Sequence, residues 1–185
     1  MSDLNNLLMQ MKELGIVLEP GLTASEVEKI EAELGAPIPK ELRELYSIAV
    51  PAGEQFPRWH GDIKREIAES KEAVEEAFIF DIKENDYWCD LFGEKPEDLD
   101  EASQKAVEIV RTWPPLIRIF GHRYMPTDAT INQKPVISVY QAGDTVYYGS
   151  SLRNYLSEEF GVGDVGIHHE RPASIPLWGE AFELD

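Results

Sequence analysis

Trp113-Pro-Pro-Leu-Ile-Arg-Ile-Phe-Gly-His-Arg-Tyr-Met-Pro126, with Pro135-Val-Ile-Ser-Val-Tyr-Gln141 and Thr145-Val-Tyr-Tyr-Gly-Ser-Ser-Leu-Arg-Asn-Tyr155 after it, is the part of the chain that decides the fold. It is rich in β-branched and aromatic residues, which suit a pleated, half-buried surface. Its pattern predicts three strands, at about 116–120, 136–141 and 145–148. Gly121 ends the first, and Gly143-Asp144 marks a hairpin between the other two. Pro114 disfavours helix at Trp113, so whatever precedes the strands stops there.

Upstream, the periodicity is helical. Leu4, Leu7, Leu8, Met11 and Leu14 share a face, and Gly15 can end that helix at positive φ. Thr23-Ala24-Ser25-Glu26 reads as a capping box opening a helix that buries Val27, Ile30 and Leu34 and stops at Gly35. Pro39 starts the next helix, with Leu42, Leu45, Tyr46 and Ala49 inward and Pro51-Ala52-Gly53 at its end. Asp62 caps a helix running to about Glu76. Phe78, Phe80 and Ile82 then alternate in period two, which predicts a strand over 77–82, and Tyr87-Trp88-Cys89 reads as the start of its partner. Pro96 precedes a helix carrying Leu99, Ala102, Ala106, Ile109 and Val110. Ser150 or Ser151 caps a last helix with Leu152, Tyr155, Leu156 and Phe160. The tail from Gly161 lacks periodicity and is expected to lie on the surface through Ile175, Leu177, Trp178 and Phe182. The sum is one α+β domain over 1–185, a mainly antiparallel sheet partly covered by helices.

Composition narrows the function classes. The chain has 185 residues, 43% of them hydrophobic, with four Trp, seven Phe and seven Tyr, enough to build a core despite its charge. The formal net charge is −18. Residues 1–110 hold 26 acids and 11 bases, whereas residues 111–185 hold nine and six. Such a surface repels phosphates and anionic lipid and attracts basic proteins. The plain reading of this charge is solubility and the sharper one a basic protein partner, with no direct nucleic acid and no membrane. Cys89 is the single cysteine, which fits a reducing compartment. The N-terminus has no basic n-region followed by an apolar run, and no ~18-residue apolar segment occurs. The expectation is a cytoplasmic protein.

Candidate chemistry is thin. His168-His169-Glu170 invites a metal reading, but adjacent side chains in extended chain point to opposite faces. Cys89 sits beside Trp88 in an apolar setting, where a thiol packs more often than it reacts. Gly161-Val-Gly-Asp-Val-Gly166 matches G-x-G-x-x-G without a strand feeding in or a helix leaving. No catalytic residue, metal ligand or cofactor site is assigned. His122, Arg123, Tyr124 and Asp144 form the one candidate polar pocket, against the plainer reading that Arg123 pairs with an acid.

The N-terminal marks Leu22-Thr-Ala-Ser-Glu-Val-Glu-Lys-Ile-Glu31, Leu34-Gly35, Ile38-Pro39 and Leu42-Arg-Glu-Leu-Tyr46 resemble the SUKH superfamily of bacterial immunity proteins and fungal cell-wall-synthesis regulators. So do the later blocks Phe80-Asp-Ile82, Tyr87-Trp88, Pro115-Leu-Ile117, Gly121–Pro126, Pro135–Gln141 and Tyr147-Tyr-Gly149. The resemblance spans about residues 20–160. Pro51-Ala52-Gly53 departs from it, standing where members commonly carry an Asn-Gly-like turn. It implies a single α+β domain without established catalytic residues. For bacterial members it implies binding and blocking a cognate toxin domain, often a nuclease, with a regulatory scaffold of several partners as the alternative and an enzyme as a third reading.

On that reading, the contact surface falls on the acidic band of Glu66, Glu69, Glu72, Glu75, Glu76, Asp90, Glu94, Glu97, Asp98, Asp100 and Glu101. Trp59, Trp88 and Tyr148 are its candidate apolar anchors. The expected target is a basic toxin domain, met by a monomer or weak homodimer.

Overall fold

The computed structural model of the chain describes residues 3–163 and 171–184. Helix α1 (Asp3–Glu13) buries Leu4, Leu7, Leu8 and Met11, and Gly15 at φ 91° turns the chain out of it. Strand β1 (Val17–Pro20) leads to α2 (Ala24–Leu34), which begins with the expected capping box. Glu26 N–H donates to Thr23 Oγ1 at 3.3 Å, and Thr23 N–H donates to Glu26 Oε2 at 2.8 Å. Helix α3 (Lys40–Ile48) follows and runs straight into β2 (Ala49–Ala52).

Strands β1 and β2 pair antiparallel as a separate two-stranded ribbon, from Val17↔Ala52 to Pro20↔Ala49. The sequence pattern does not announce this ribbon. Both strands carry a proline, which an edge ribbon tolerates but a strand prediction penalises.

The largest departure from expectation is α4 (Ile63–Glu84), a single helix of 22 residues. Asp62 caps it as expected, accepting from Arg65 N–H at 3.1 Å. The helix does not give way to a strand at residue 77. Val74, Ala77, Phe78 and Ile82 are buried at helical spacing, and Phe80 points to solvent, 46% exposed. No Gly or Pro occurs from Ile63 to Glu84 to end the helix. The expected partner strand at Tyr87–Cys89 is likewise absent, and a 3-10 turn, Asp90–Phe92, follows it. Helix α5 (Leu99–Val110) then packs back along α4, antiparallel to it. Lys83 near one end of α4 meets Asp100 at the start of α5, and Glu75 meets Arg111 just past its end.

Strands β3 (Leu116–Phe120), β4 (Arg123–Pro126), β5 (Val136–Ser138) and β6 (Val146–Gly149) form an antiparallel meander in chain order. Three of the four lie where expected. The extra one, β4, is reached through Gly121 at φ 50°. Helix α6 (Leu152–Phe160) is capped by Ser151, which accepts from Asn154 N–H at 3.1 Å, and a short α7 (Trp178–Ala181) closes the described chain. The fold is α+β.

The meander is a partition between two cores. Ile117, Ile119, Met125 and Val136 face a core shared with α1, α2, α3 and α6. Leu116, Tyr124, Ile137 and Val139 belong to a second core with α5 and the tail. Helix α4 serves both, with Ile67 in the first and Phe78 and Ile82 in the second. The tail is not a surface strap. Ile175, Trp178 and Phe182 are fully buried, with Trp178 edge-on to Trp113 at 5.0 Å and Phe182 stacked on Phe78 at 5.3 Å. Among the described residues no helix is long and apolar enough to cross a membrane.

Candidate functional site

The acidic residues singled out from sequence fall on α4, α5 and the segment joining them, and the two helices lie side by side. Glu72, Glu76, Asp90, Glu94, Glu97, Asp98, Asp100 and Glu101 are exposed. Part of this charge is used locally. Asp98 caps α5, its Oδ1 accepting from the Asp100 and Glu101 N–H groups at 2.9 Å each. Asp100 pairs with Lys83, which holds its carboxyl below the usual range. Glu69 is held down in the same way by Arg65, at 2.6 Å. Glu75 is half-buried and bidentate to Arg111 at 2.8 and 2.7 Å.

Most bases of this layer are also occupied. Lys71 donates to the Glu33 and Leu34 carbonyls, Lys95 reaches Asp86, and Lys105 donates to the Glu94 carbonyl. With most of its cations so engaged, the layer turns a surplus of carboxylates outward.

Two members of the band do not belong to it. Glu66 is 2% exposed and forms an ion pair with Arg118 of β3, with Arg58 Nε 3.6 Å away. It sits on the inward face of α4, one turn before Ser70 and two before Val74. Trp59 is also 2% exposed, packed edge-on to Tyr46 at 6.3 Å, and is a core residue rather than a contact anchor. Trp88 is half-buried against Phe92, with Nε1 donating to the Gly93 carbonyl at 2.7 Å. Of the three proposed anchors only Tyr148 offers a large surface, at 43% exposed.

The four residues of the candidate polar pocket are not brought together. Arg123 and Tyr124 are neighbours on β4 and project to opposite faces of the sheet. Arg123 is buried toward α6. Its Nη1 donates to Ser138 Oγ at 3.0 Å, its Nε lies 3.8 Å from Glu159, and its guanidinium lies 3.7 Å from the Tyr148 ring centroid. Tyr124 is in the second core beside Ser70, and burial pushes its phenol up. His122 is exposed with its ring 5.6 Å from Tyr140; partial burial and the adjacent Arg123 hold its pKa down. The Asp144 carboxylate is exposed in the turn before β6.

Cys89 is buried, and desolvation raises its thiol above the ordinary value, which suppresses the reactive thiolate. Residues 168–170 and the second half of the glycine-rich motif lie outside the described residues. Among those described, no three His, Cys, Asp or Glu groups converge as a metal set.

Sequence reading missed a cleft of about 910 Å³ between α1, the start of α3, the β4–β5 loop and the start of α6. Glu41 at its back caps α6 from 111 residues away, accepting from Leu152 N–H at 3.1 Å and Arg153 N–H at 3.3 Å. Burial raises the Glu41 carboxyl. Arg153 pairs with Asp3 at 2.5 Å across the same opening. Lys134 turns inward to the Asp128 and Ile131 carbonyls, and desolvation lowers its ammonium. No local motif marks these residues. Comparison of the chain with protein-family models, curated proteins and solved structures gives no match.

Proposed function

We propose that the chain is a non-catalytic, SUKH-type immunity protein of the bacterial cytoplasm, which binds and neutralises a basic toxin domain through the outer surface of α4 and α5. The observation that carries this reading is the surplus of exposed carboxylates on a layer most of whose cations are engaged within the chain. A toxin that handles nucleic acid presents a basic cleft to hold phosphates, and a rigid array of carboxylates offers that cleft a substitute. Steering of this kind raises association toward ~10⁸ M⁻¹s⁻¹ at low salt and fades as salt screens it. The resemblance of Gly121–Pro126, Pro135–Gln141 and Tyr147–Gly149 to SUKH members supports the same reading.

The test is affinity capture with the purified protein at low and high salt, beside a variant carrying Glu72→Lys, Glu76→Lys and Glu101→Lys. One dominant basic partner with a toxic domain, lost from the variant and weakened by salt, is the expected result. A partner held equally by both proteins sinks the acidic-surface reading. Several ordinary cellular proteins, each weakly held, favour a regulatory scaffold instead.

A further inference from the structure

The cleft between α1, α6 and the β4–β5 loop differs in chemistry from the rest of the surface. Its volume, about 910 Å³, is that of a ligand site rather than a packing defect. Its charges balance. Lys40, Lys134 and Arg153 face Asp3, Glu41 and Glu44, in a chain of net charge −18. Such a lining neither draws in a strongly basic ligand nor holds a phosphate. It suits a ligand that is dipolar and close to neutral.

Five carboxamides stand in the polar lining, beside the six charged side chains and four hydroxyls. Asn6 and Gln10 come from α1, Asn132 and Gln133 from the β4–β5 loop, and Asn154 from α6. Each carboxamide carries a donor and an acceptor, the complement of a peptide bond's C=O and N–H. Two of them are already fixed through their oxygens. Gln10 Oε1 accepts from Gly163 N–H at 2.7 Å, and Asn154 Oδ1 accepts from Ser150 N–H at 2.9 Å. Leu7, Ile38, Met125 and Ile131 supply apolar floor on which side chains can rest. Glu41 and Lys134 are only half-buried in the cleft, and desolvation raises the one and lowers the other.

We infer that this cleft binds an extended peptide segment of the protein partner, gripping its main chain through the carboxamides. The inference rests on the reading of the chain as a protein-binding module. The acidic layer governs approach, and the cleft governs which partner stays.

The experiment pans phage-displayed random peptides of about 12 residues, ~40 Å when extended, against the full chain. Peptides that share a consensus are synthesised. Their binding is then measured on the wild type, on Asn132→Ala/Gln133→Ala, on the rim-blocking Ala129→Trp, and on the α4–α5 charge-reversal triple variant. All substituted cleft residues are exposed, and circular dichroism verifies that each variant folds. The expected result is near-neutral peptides weakened about tenfold by Asn132→Ala/Gln133→Ala, the loss of one or two net hydrogen bonds. They are blocked by Ala129→Trp and unaffected by charge reversal, and amide NMR shifts centre on α1, residues 127–134 and α6. Peptides that bind both cleft variants like the wild type overturn the inference, as does a selection without a consensus. Basic peptides lost only on charge reversal overturn it too, while leaving the acidic-surface reading intact. Peptides bound in the cleft, beside a whole partner indifferent to charge reversal, support the cleft and sink the acidic surface.

Discussion

Glu66 and Arg118 make the most exacting contact in the molecule, a carboxylate and a guanidinium paired where α4 crosses the sheet. The surroundings are polar but tightly filled, with Tyr46, Trp59, Ser70 and Tyr124 close by and Arg58 reaching in from solvent. Removing one partner strands the other charge in a poorly solvated place. Glu66→Gln is expected to cost about 3–5 kcal/mol, and Arg118→Met less, because Arg58 Nε stays 3.6 Å from the Glu66 carboxylate. The double variant Glu66→Met/Arg118→Met leaves no charge stranded and should recover most of that loss. Urea denaturation of the four proteins gives the coupling directly. Additive single losses would show that the two side chains act independently. The sequence presents Glu66 as one more acid in a helical run with Glu69 and Glu72. Only the direction of its helix face, set by Ile67 and Val74, separates it from them, and that face cannot be fixed until the length of the helix is known.

Helix α4 illustrates where the reading of elements succeeds and where it fails. Its start is legible because Asp62 caps it by a local hydrogen bond. Its second half is ambiguous because Ala77–Ile82 is a short apolar run, and six residues fit period two and period 3.6 almost equally well. The two readings make opposite demands on Phe80. On a strand Phe78 and Phe80 share a face. On the helix they are 200° apart, Phe78 against Tyr87, Phe92, Trp178 and Phe182 and Phe80 in solvent. Phe78→Ala is therefore expected to cost about 3–5 kcal/mol and Phe80→Ala no more than ~0.5 kcal/mol, as read from denaturant midpoints. Similar losses at both positions would restore the strand. Three of the four meander strands are legible because they are rich in β-branched and aromatic residues and lie between turn signals; β4 is not expected. The β1–β2 ribbon is not, since four-residue strands with prolines at Pro20 and Pro51 derive their pairing from the helices packed around them.

At the scale of the molecule, charge is segregated. Most of the surplus lies before Arg111, on segments that flank the sheet on both faces, and the sheet carries little of it. Like charges crowded on one folded chain repel, so added salt should stabilise the fold. The midpoint of thermal unfolding is expected to rise between about 0.01 and 0.15 M NaCl, as the Debye length falls from ~30 to ~8 Å. Glu72→Lys/Glu76→Lys should raise it at low salt and lose that advantage as salt increases. A midpoint that falls with salt would mean that the ion pairs, not the repulsion, dominate. This acidic layer is legible because net charge is a property of composition. The cleft is not, because Glu41 and Leu152 meet across 111 residues and each looks ordinary in its own neighbourhood.

The burial of Ile175, Trp178 and Phe182 sets the order in which this protein can be made. The ribosome releases a chain from its N-terminus onward, and α1, α2 and α3 emerge early. Yet the first core waits for Leu152, Tyr155 and Leu156, and the second keeps Phe78 and Trp113 uncovered until residues 175–182 leave the exit tunnel. Neither compartment can close before those segments emerge. A chain made from its N-terminus onward thus carries Phe78 and Trp113 unsheltered until residues 175–182 follow them out.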